Sequence, residues 1–185
     1  MTTSKRIKVS VFMATSLDGF ISRPDGDIAW LHEGEQPPDG DDAGYGAFFN
    51  AIDVLVMGRG SFEKVLEFDE FPYESKPIMV LSKTLTEIPE KLRDQVKIDA
   101  SNPQDFLEKL SDQGYKHVYL DGGKVIQSFL RAGLVDEMTL TTIPVLIGAG
   151  RTLFGELEHD IQLRLIETRF WDNGFVQSKY KVLNA

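Results

Sequence analysis

The chain contains no cysteine, and this absence excludes several kinds of chemistry at once. Without a thiol there is no disulfide, no thiolate ligand for a metal and no cysteine nucleophile. Histidine is nearly as scarce: the chain has only His32, His117 and His159, which stand far apart and show no ligand spacing. The sequence therefore predicts a protein without a bound metal ion.

Positive charge and long apolar runs are also in short supply. Lysine and arginine total 20 against 29 aspartates and glutamates, which gives a formal net charge of −9. No basic face is then available for a nucleic acid, although a phosphate-bearing cofactor needs only a local positive site. No apolar run approaches the length of a membrane span, and the first residues lack the features of a signal peptide. We expect a cytoplasmic protein that contacts neither nucleic acid nor membrane.

What the sequence does contain is an alternation of strand-like and helix-like runs, within a length that suits one domain over residues 1–185. Short apolar and β-branched runs predict strands at residues 7–13, 53–57, 77–81, 96–98 and 117–120. Helices are predicted between them at residues 43–51, 61–68, 103–113 and 124–132. The third helix is the best marked, because Asn102 can cap it, Pro103 suits its first position and Gly114 can end it.

The last third of the chain changes character. Residues 135–143, 161–168 and 175–182 predict longer strands, and Asp172-Asn173-Gly174 is a strong hairpin turn signal between the last two. The whole pattern predicts an α/β protein with a mostly parallel sheet and an antiparallel hairpin at its C-terminal edge.

Three predicted strands end in residues suited to an anion. Gly58-Arg59-Gly60-Ser61 offers a planar cation and a hydroxyl that can cap the next helix, Leu81-Ser82-Lys83 offers a hydroxyl and an ammonium, and Gly122-Gly123 precedes a helix start. Each also has a plain interpretation as a surface ion pair, a solvated turn or a tight turn. In an open α/β sheet, however, strand ends of this kind meet at one crevice.

Three further features leave alternatives open. Asp18-Gly19 is either a plain bend or part of a site. Trp30 is either a core residue or an aromatic that stacks on a ligand. Residues 31–46, with five acids between Glu33 and Asp42, are either a solvated loop or a lid, and the solvated loop is the favoured interpretation.

Four segments in this order resemble the dihydrofolate reductase fold family. Within it, the chain is most similar to the reductase domain of the bifunctional riboflavin-biosynthesis deaminase-reductase and its stand-alone relatives. The segments are VFMATSLDGFIS, DVLVMGRGSFEKV, PIMVLSK and VYLDGGKVIQSFLRAGLVDEMTLTTIPVLIGAGRTLFG. The resemblance implies a three-layer α/β/α fold with a central sheet of about eight strands, and NADPH as the hydride donor.

The same resemblance implies which residues contact NADPH. It assigns Gly58, Arg59 and Ser61 to the adenosine and phosphate end, and Leu81, Ser82 and Lys83 to the adenine and its 2′-phosphate. Gly122, Gly123, Lys124 and Val125 would hold the pyrophosphate. Ala14 and Ile21 would border the nicotinamide, with Thr152 near the cofactor. Arg59 and Lys83 favour NADP over NAD, because the additional phosphate needs positive partners.

Substrate and proton chemistry are less determined. The SLDG segment makes Asp18 a candidate substrate contact, and counting back from Met57 reaches Asp42 as the candidate for the carboxylate that grips the pterin in dihydrofolate reductases. The proton would come from water or from one of these acids.

The leading hypothesis is an NADPH-dependent reductase of a small pterin- or pyrimidine-like substrate. Two alternatives are 5-amino-6-(5-phosphoribosylamino)uracil reductase itself and an NADPH-binding protein without turnover. Residues 135–150 resemble the segment through which riboflavin-type reductases pair, so we expect a homodimer.

Overall fold

The computed structural model describes residues 6–73 and 76–183, which form ten strands and four α-helices. The strands are β1 Lys8–Ser16, β2 Phe20–Ser22, β3 Val54–Gly58, β4 Ile78–Leu81, β5 Val96–Asp99, β6 His117–Asp121, β7 Glu137–Ile143, β8 Arg151–Thr152, β9 Gln162–Phe170 and β10 Val176–Leu183. The helices are α1 Tyr45–Ala51, α2 Arg59–Val65, α3 Pro103–Asp112 and α4 Gly123–Arg131. Short 3₁₀ turns lie at Ala29–Leu31 and Glu90–Leu92.

Eight of these strands form one sheet in the order β5-β4-β3-β6-β1-β7-β10-β9. The pairings from β5 to β7 are parallel, whereas β10 pairs antiparallel with β7 and β9 pairs antiparallel with β10. This topology confirms the predicted α/β class with an antiparallel C-terminal hairpin. The hairpin turn is also confirmed, since Gly174 has a φ of +86° at its tip.

Helices cover the sheet on both faces, which gives the three layers. On one face, apolar residues of α3 and α4 bury Val9, Val11, Val56 and Leu120. On the other, Phe62 of α2 and the aromatic residues of α1 pack over Leu55, Met57, Ile78 and Val80. Burial on both faces explains why the central strands are nearly continuous apolar runs rather than alternating ones.

Helix α3 follows the capping signals of the sequence closely. The Asn102 side chain accepts a hydrogen bond of 3.0 Å from the backbone N–H of Asp105, and Pro103 occupies the first turn. Its inward residues Phe106, Leu107 and Leu110 are buried. Gly114 follows the helix with a φ of +88°, a conformation that favours glycine.

Helix α2 differs from the prediction at both ends. It begins at Arg59, with Gly58 as an N-cap residue that forms no side-chain cap bond, and it ends at Val65 rather than at residue 68. Ser61 therefore lies inside the first turn and does not cap the helix, which corrects the sequence prediction. The sequence prediction placed the helix start too late, because the glycine-rich segment is typical of a turn. In the structure the backbone passes directly from β3 into α2.

One element is absent from the sequence prediction. β2 and β8 form a separate two-stranded antiparallel ribbon in which Phe20 pairs with Thr152 and Ser22 with Arg151. Gly150 directly precedes β8, and a Cβ atom on Gly150 would lie 2.1 Å from the carbonyl oxygen of Ser22. Within residues 6–73 and 76–183, no helix has the length and apolar character needed to cross a bilayer.

Candidate active site

The sheet opens between β1 and β6 toward their carboxyl ends. The parallel pairing of these two strands stops at Val11 and Leu120, whereas β1 continues to Ser16 paired with β7 alone. On its other side, β6 stays paired with β3 as far as Asp121. A crevice at the carboxyl ends of parallel strands is the usual ligand position of such sheets.

Two glycine turns meet at this crevice. Gly122 has φ +87° and ψ 134°, and a Cβ atom on it would lie 2.3 Å from the Ser61 Oγ atom. A Cβ atom on Gly58 would lie 3.3 Å from the Val125 side chain. The turn after β3 and the turn after β6 are therefore in direct contact, and side chains there would fill the space between them.

The β2–β8 ribbon lies against the start of α4. A Cβ atom on Gly123 would lie 2.8 Å from the Thr152 carbonyl oxygen and 3.1 Å from the Ile21 Cδ1 atom. The Gln127 amide donates to the same carbonyl at 3.2 Å. The structure thus brings together seven of the candidate cofactor residues, namely Ile21, Gly58, Ser61, Gly122, Gly123, Val125 and Thr152.

The candidate residues for the 2′-phosphate lie at the next two strand ends. Gly58 pairs with Leu81, and the Arg59 Nη1 atom donates to the Thr84 Oγ1 atom at 3.1 Å. Ser82 Oγ accepts hydrogen bonds from the backbone N–H groups of Thr84 and Leu85. Arg59 also lies 3.5 Å from Glu63, but both side chains are about half exposed, so this ion pair is weak.

The remaining cofactor candidates occupy different surroundings. Ala14 lies on β1 beyond the last β6 pairing and packs against the cluster of Trp30, Ile143, Trp171 and Phe175. Lys83 and Lys124 are exposed at the β4 and β6 strand ends. Both lysine side chains therefore lie in contact with solvent.

Asp18 is held by hydrogen bonds to its own loop and to residues 147–148. Its carboxylate accepts from Ser16 Oγ at 2.6 Å and from the backbone N–H groups of Ile147 and Gly148 at 3.3 Å and 2.8 Å. The Ser16 hydrogen bond, followed by the two backbone bonds, outweighs the loss of solvation and lowers the pKa of Asp18. An ionised, tethered carboxylate suits an anchor for this loop better than a proton donor.

Asp42 is engaged at the start of α1. Its two oxygens accept from the backbone N–H groups of Gly44 at 2.8 Å and Gly46 at 2.7 Å.

The neighbouring Asp41 accepts from the Trp171 indole at 2.8 Å and from Arg169, and the Trp171 bond is the main reason that the pKa of Asp41 is lowered. Residues 31–46 are thereby fastened to the C-terminal hairpin.

Trp30 belongs to the core, being 2% exposed against Ile143, Trp171 and Phe175. Its indole N–H has no hydrogen-bond partner among the described residues.

Asp121 is the acid that the sequence interpretation did not single out. It is the last residue of β6, directly before the glycine pair, and burial raises the pKa of its carboxyl to about 6. Tyr119 precedes it on the same face of the strand, and the three tyrosines Tyr45, Tyr73 and Tyr119 all have pKa values raised first by burial and then by Asp121. The sequence signal that could have identified Asp121 is its position between a buried strand and two glycines.

A groove of about 380 Å³ lies between α1 and strands β1, β7 and β10. Phe12, Phe48, Thr139 and Gln177 are among the residues that line it. Phe12 lies two residues before Ala14 and therefore on the same face of β1, so the groove adjoins the β1 side of the crevice. In the part of the chain that the structure describes, no cluster of three or more His, Asp or Glu residues could hold a metal ion.

Comparison with known proteins agrees with this architecture. Residues 7–177 match the sequence profile of the RibD C-terminal domain. Two proteins of Bacillus subtilis, the uncharacterized proteins YwjB and YyaP, are 33% identical over 165 residues and 31% identical over 189 residues. These matches cover 88% of this chain and 91% of YwjB, and 95% of this chain and of YyaP.

Solved structures show the same fold. A protein of Shewanella sp. PV-4, named provisionally for riboflavin biosynthesis, superposes with a TM-score of 0.90 at 39% identity, over 96% of this chain and 99% of its own. The diaminohydroxyphosphoribosylaminopyrimidine deaminase/5-amino-6-(5-phosphoribosylamino)uracil reductase of Thermotoga maritima has a TM-score of 0.75 at 15% identity, over 98% of this chain and 58% of its own. The expected dihydrofolate reductase-like, riboflavin-type fold is confirmed.

Proposed function

The chain belongs to the RibD C-terminal domain family, and from this premise we propose that it is an NADPH-dependent reductase of a small pterin- or pyrimidine-like heterocycle. The observation that carries the proposal is the contact between the two glycine turns, where a Cβ atom on Gly122 would lie 2.3 Å from Ser61. Since Gly122 and Gly123 carry no side chain, a diphosphate can approach the backbone closely at the N-terminus of α4.

The cofactor would lie along the crevice. Gly122, Gly123 and Ser61 would hold the diphosphate, Arg59 and Ser82 the 2′-phosphate, and Ala14 with Ile21 would orient the nicotinamide ring. When bound, NADPH supplies the hydride. The chain's own residues contribute position and exclusion of water, which account for much of the rate of a hydride transfer.

Asp121 is the residue that we assign to the proton. It is the last residue of β6, directly before Gly122, and a pKa of about 6 leaves part of its carboxyl protonated near neutral pH. Asp18 and Asp42 stay as predicted contacts, but their oxygens already accept backbone hydrogen bonds. Asp121 also accepts a backbone hydrogen bond, from Gly122, but the effect of burial exceeds it and keeps the pKa of its carboxyl raised, so Asp121 is the better donor.

A second candidate is the riboflavin-pathway reaction, the reduction of 5-amino-6-(5-phosphoribosylamino)uracil. The similarity to the Shewanella protein over nearly the whole of both chains favours it. Assays with that compound and with dihydrofolate, each with NADPH, separate the two candidates by which substrate is turned over.

We expect the protein to bind NADPH with micromolar or better affinity, and to bind NADH more weakly. Replacing Arg59 with alanine should weaken NADPH binding about tenfold and change NADH binding little, because the guanidinium, which donates to Thr84, would pair with the 2′-phosphate that NADH lacks. Calorimetric titration with both nucleotides measures the two affinities. Arg93→Ala, at an exposed arginine beyond the second 3₁₀ turn, is the control. An equal loss for both nucleotides contradicts the 2′-phosphate assignment, and no binding of either by the wild type contradicts the function.

We also propose that the protein is a homodimer that pairs through one face of β7, β10 and β9. Every residue of β9 is exposed, and Phe170, Leu165 and Leu163 share a face with Val176. Phe170 is 77% and Leu165 55% exposed. Because β7 is paired with strands on both sides, a partner can approach it only through its face, and β10 and β9 extend that face. An apolar patch of this kind is typical of a protein interface.

Replacing Leu165 and Phe170 together with glutamate should convert the dimer to a monomer, since burying two carboxylates in an apolar interface is unfavourable. Light scattering after size exclusion should show the mass fall to half. Arg164→Glu changes the charge on the opposite face of the same strand and should leave the mass unchanged. A wild-type protein that is monomeric at high concentration contradicts the proposal.

A further inference from the structure

Arg151 has a charge that its surroundings do not neutralise. It lies in β8 beside Thr152, is exposed, and forms no ion pair with any residue in 6–73 or 76–183. Among these same residues its side chain forms one hydrogen bond, from Nη2 to the Pro24 carbonyl oxygen at 3.4 Å. An arginine has five N–H donors and stays charged at every physiological pH, so most of its binding capacity is unused here.

The guanidinium lies against two glycines. A Cβ atom on Gly60, the second residue of α2, would lie 3.8 Å from the Nη1 atom of Arg151, and one on Gly26 would lie 3.4 Å from its Nη2 atom. Gly60 therefore contributes no side chain at a surface that the Arg151 side chain reaches instead. The cation lies between the β2–β8 ribbon, the loop before the first 3₁₀ turn and the start of α2.

The nearby acids have other partners. Asp27 forms an ion pair with Arg23 at 3.6 Å, and Asp25 accepts a hydrogen bond of 2.9 Å from the backbone N–H of Asp27. Although these two residues flank Gly26, neither forms an ion pair with Arg151. The guanidinium consequently remains available to an anion from solution.

We propose that Arg151 binds the 5′-diphosphate of NADPH, a role that rests on the proposed function above. The neighbouring Thr152 already lies against Gly123, and Gly60 lies between Arg59 and Ser61, so Arg151 adjoins both glycine turns. The diphosphate joins the adenosine end of the cofactor, near Arg59, to the nicotinamide end, near Ile21. A planar guanidinium over this middle region can donate two parallel hydrogen bonds to phosphate oxygens.

The Arg151→Gln variant removes the charge, and a comparison of three ligands separates this role from simple anchoring of the Pro24 loop, because a loosened loop would weaken the binding of every ligand. We expect NADPH and 2′-phospho-ADP-ribose to bind about tenfold or more weakly to the variant, since a charge-assisted pair is lost. Adenosine 2′-monophosphate lacks the diphosphate and should bind unchanged. Calorimetric titration of the full-length protein gives all three affinities, and Arg151→Lys should restore part of the loss.

Arg23→Gln is the matched control, because Arg23 belongs to the adjoining loop and is paired with Asp27. It should leave all three ligands unchanged. An equal loss of all three in Arg151→Gln would assign Arg151 to loop anchoring and overturn the proposal, as would no loss of any. If the wild type itself does not bind NADPH, it is the proposed function that fails. If the wild type binds NADPH and Arg151→Gln binds it equally well, only the role of Arg151 is refuted.

Discussion

Replacing Gly122 with alanine is expected to abolish measurable NADPH binding and to lower the free energy of unfolding. The backbone at this position has φ +87° and ψ 134°, a region that residues with a side chain rarely adopt, at a cost of about 1–3 kcal/mol. The new methyl group would in addition lie 2.3 Å from the Ser61 Oγ atom. Relief of that clash requires the Ser61 side chain to rotate or the two turns to separate, and either change alters the surface that would receive the diphosphate.

Two variants distinguish the backbone cost from the clash. Gly114 has a similar φ, +88°, with nothing near its added Cβ, so Gly114→Ala should show the cost of a positive φ without a clash. The double variant Gly122→Ala/Ser61→Ala removes the offending oxygen and leaves the Ser61 Cβ at 3.5 Å, an ordinary contact. Denaturant unfolding should rank Gly122→Ala as the least stable of the three. If the double variant is no more stable than Gly122→Ala, the Ser61 oxygen does not obstruct the new methyl group.

The elements that the sequence predicted well are those in which several local signals agree. Helix α3 has its cap, its proline and its terminal glycine, and the structure keeps all three. The buried strands were recognisable because burial on both faces requires continuous apolar runs. The start of α2 was predicted less well, since Gly58 and Gly60 permit many conformations and carry no capping side chain.

The ribbon of β2 and β8 could not be predicted, because three and two residues are too few for a periodic pattern to be visible. Its partners are about 130 residues apart in sequence, so only the folded sheet brings Ile21 and Thr152 next to Gly123. The same reasoning applies to Arg151, whose sequence neighbours give no indication that it reaches Gly60. Contacts of this kind depend on tertiary structure rather than on local pattern.

Asp121 shows a different limit. Its position before the glycine pair was visible in the sequence, but its chemistry depends on burial beside Tyr45, Tyr73 and Tyr119, which come from three separate parts of the chain. Residues whose pKa values are displaced by their surroundings are frequently functional. Such a residue should lower the free energy of unfolding and raise the rate of the reaction, and both effects can be measured.

Replacing Asp121 with asparagine is expected to raise stability and lower activity. Burial raises the pKa of this carboxyl from 3.8 to about 6, so the folded protein binds more protons than the unfolded chain between these pH values. The free energy of unfolding therefore falls as the pH rises from about 4 to about 6, and above pH 6 the full deficit is about 3 kcal/mol. Asparagine cannot ionise, so the variant should be more stable than the wild type at pH 8 by up to this amount, and little different at pH 4.

The rate of substrate reduction should move in the opposite direction. A proton donor works only while protonated, so the wild-type rate should decline as the pH rises through about 6, and the variant should lose that inflection and about a hundredfold or more in rate. Urea unfolding at pH 4, 6 and 8 and stopped-flow oxidation of NADPH measure the two effects. Asp18→Asn is the contrasting control: its lowered pKa stabilises the fold above about pH 4, so this variant should be less stable than the wild type at neutral pH. If the Asp121→Asn variant is destabilised at pH 8 and keeps the wild-type pH–rate profile, Asp121 is a structural residue. Water is then the proton donor.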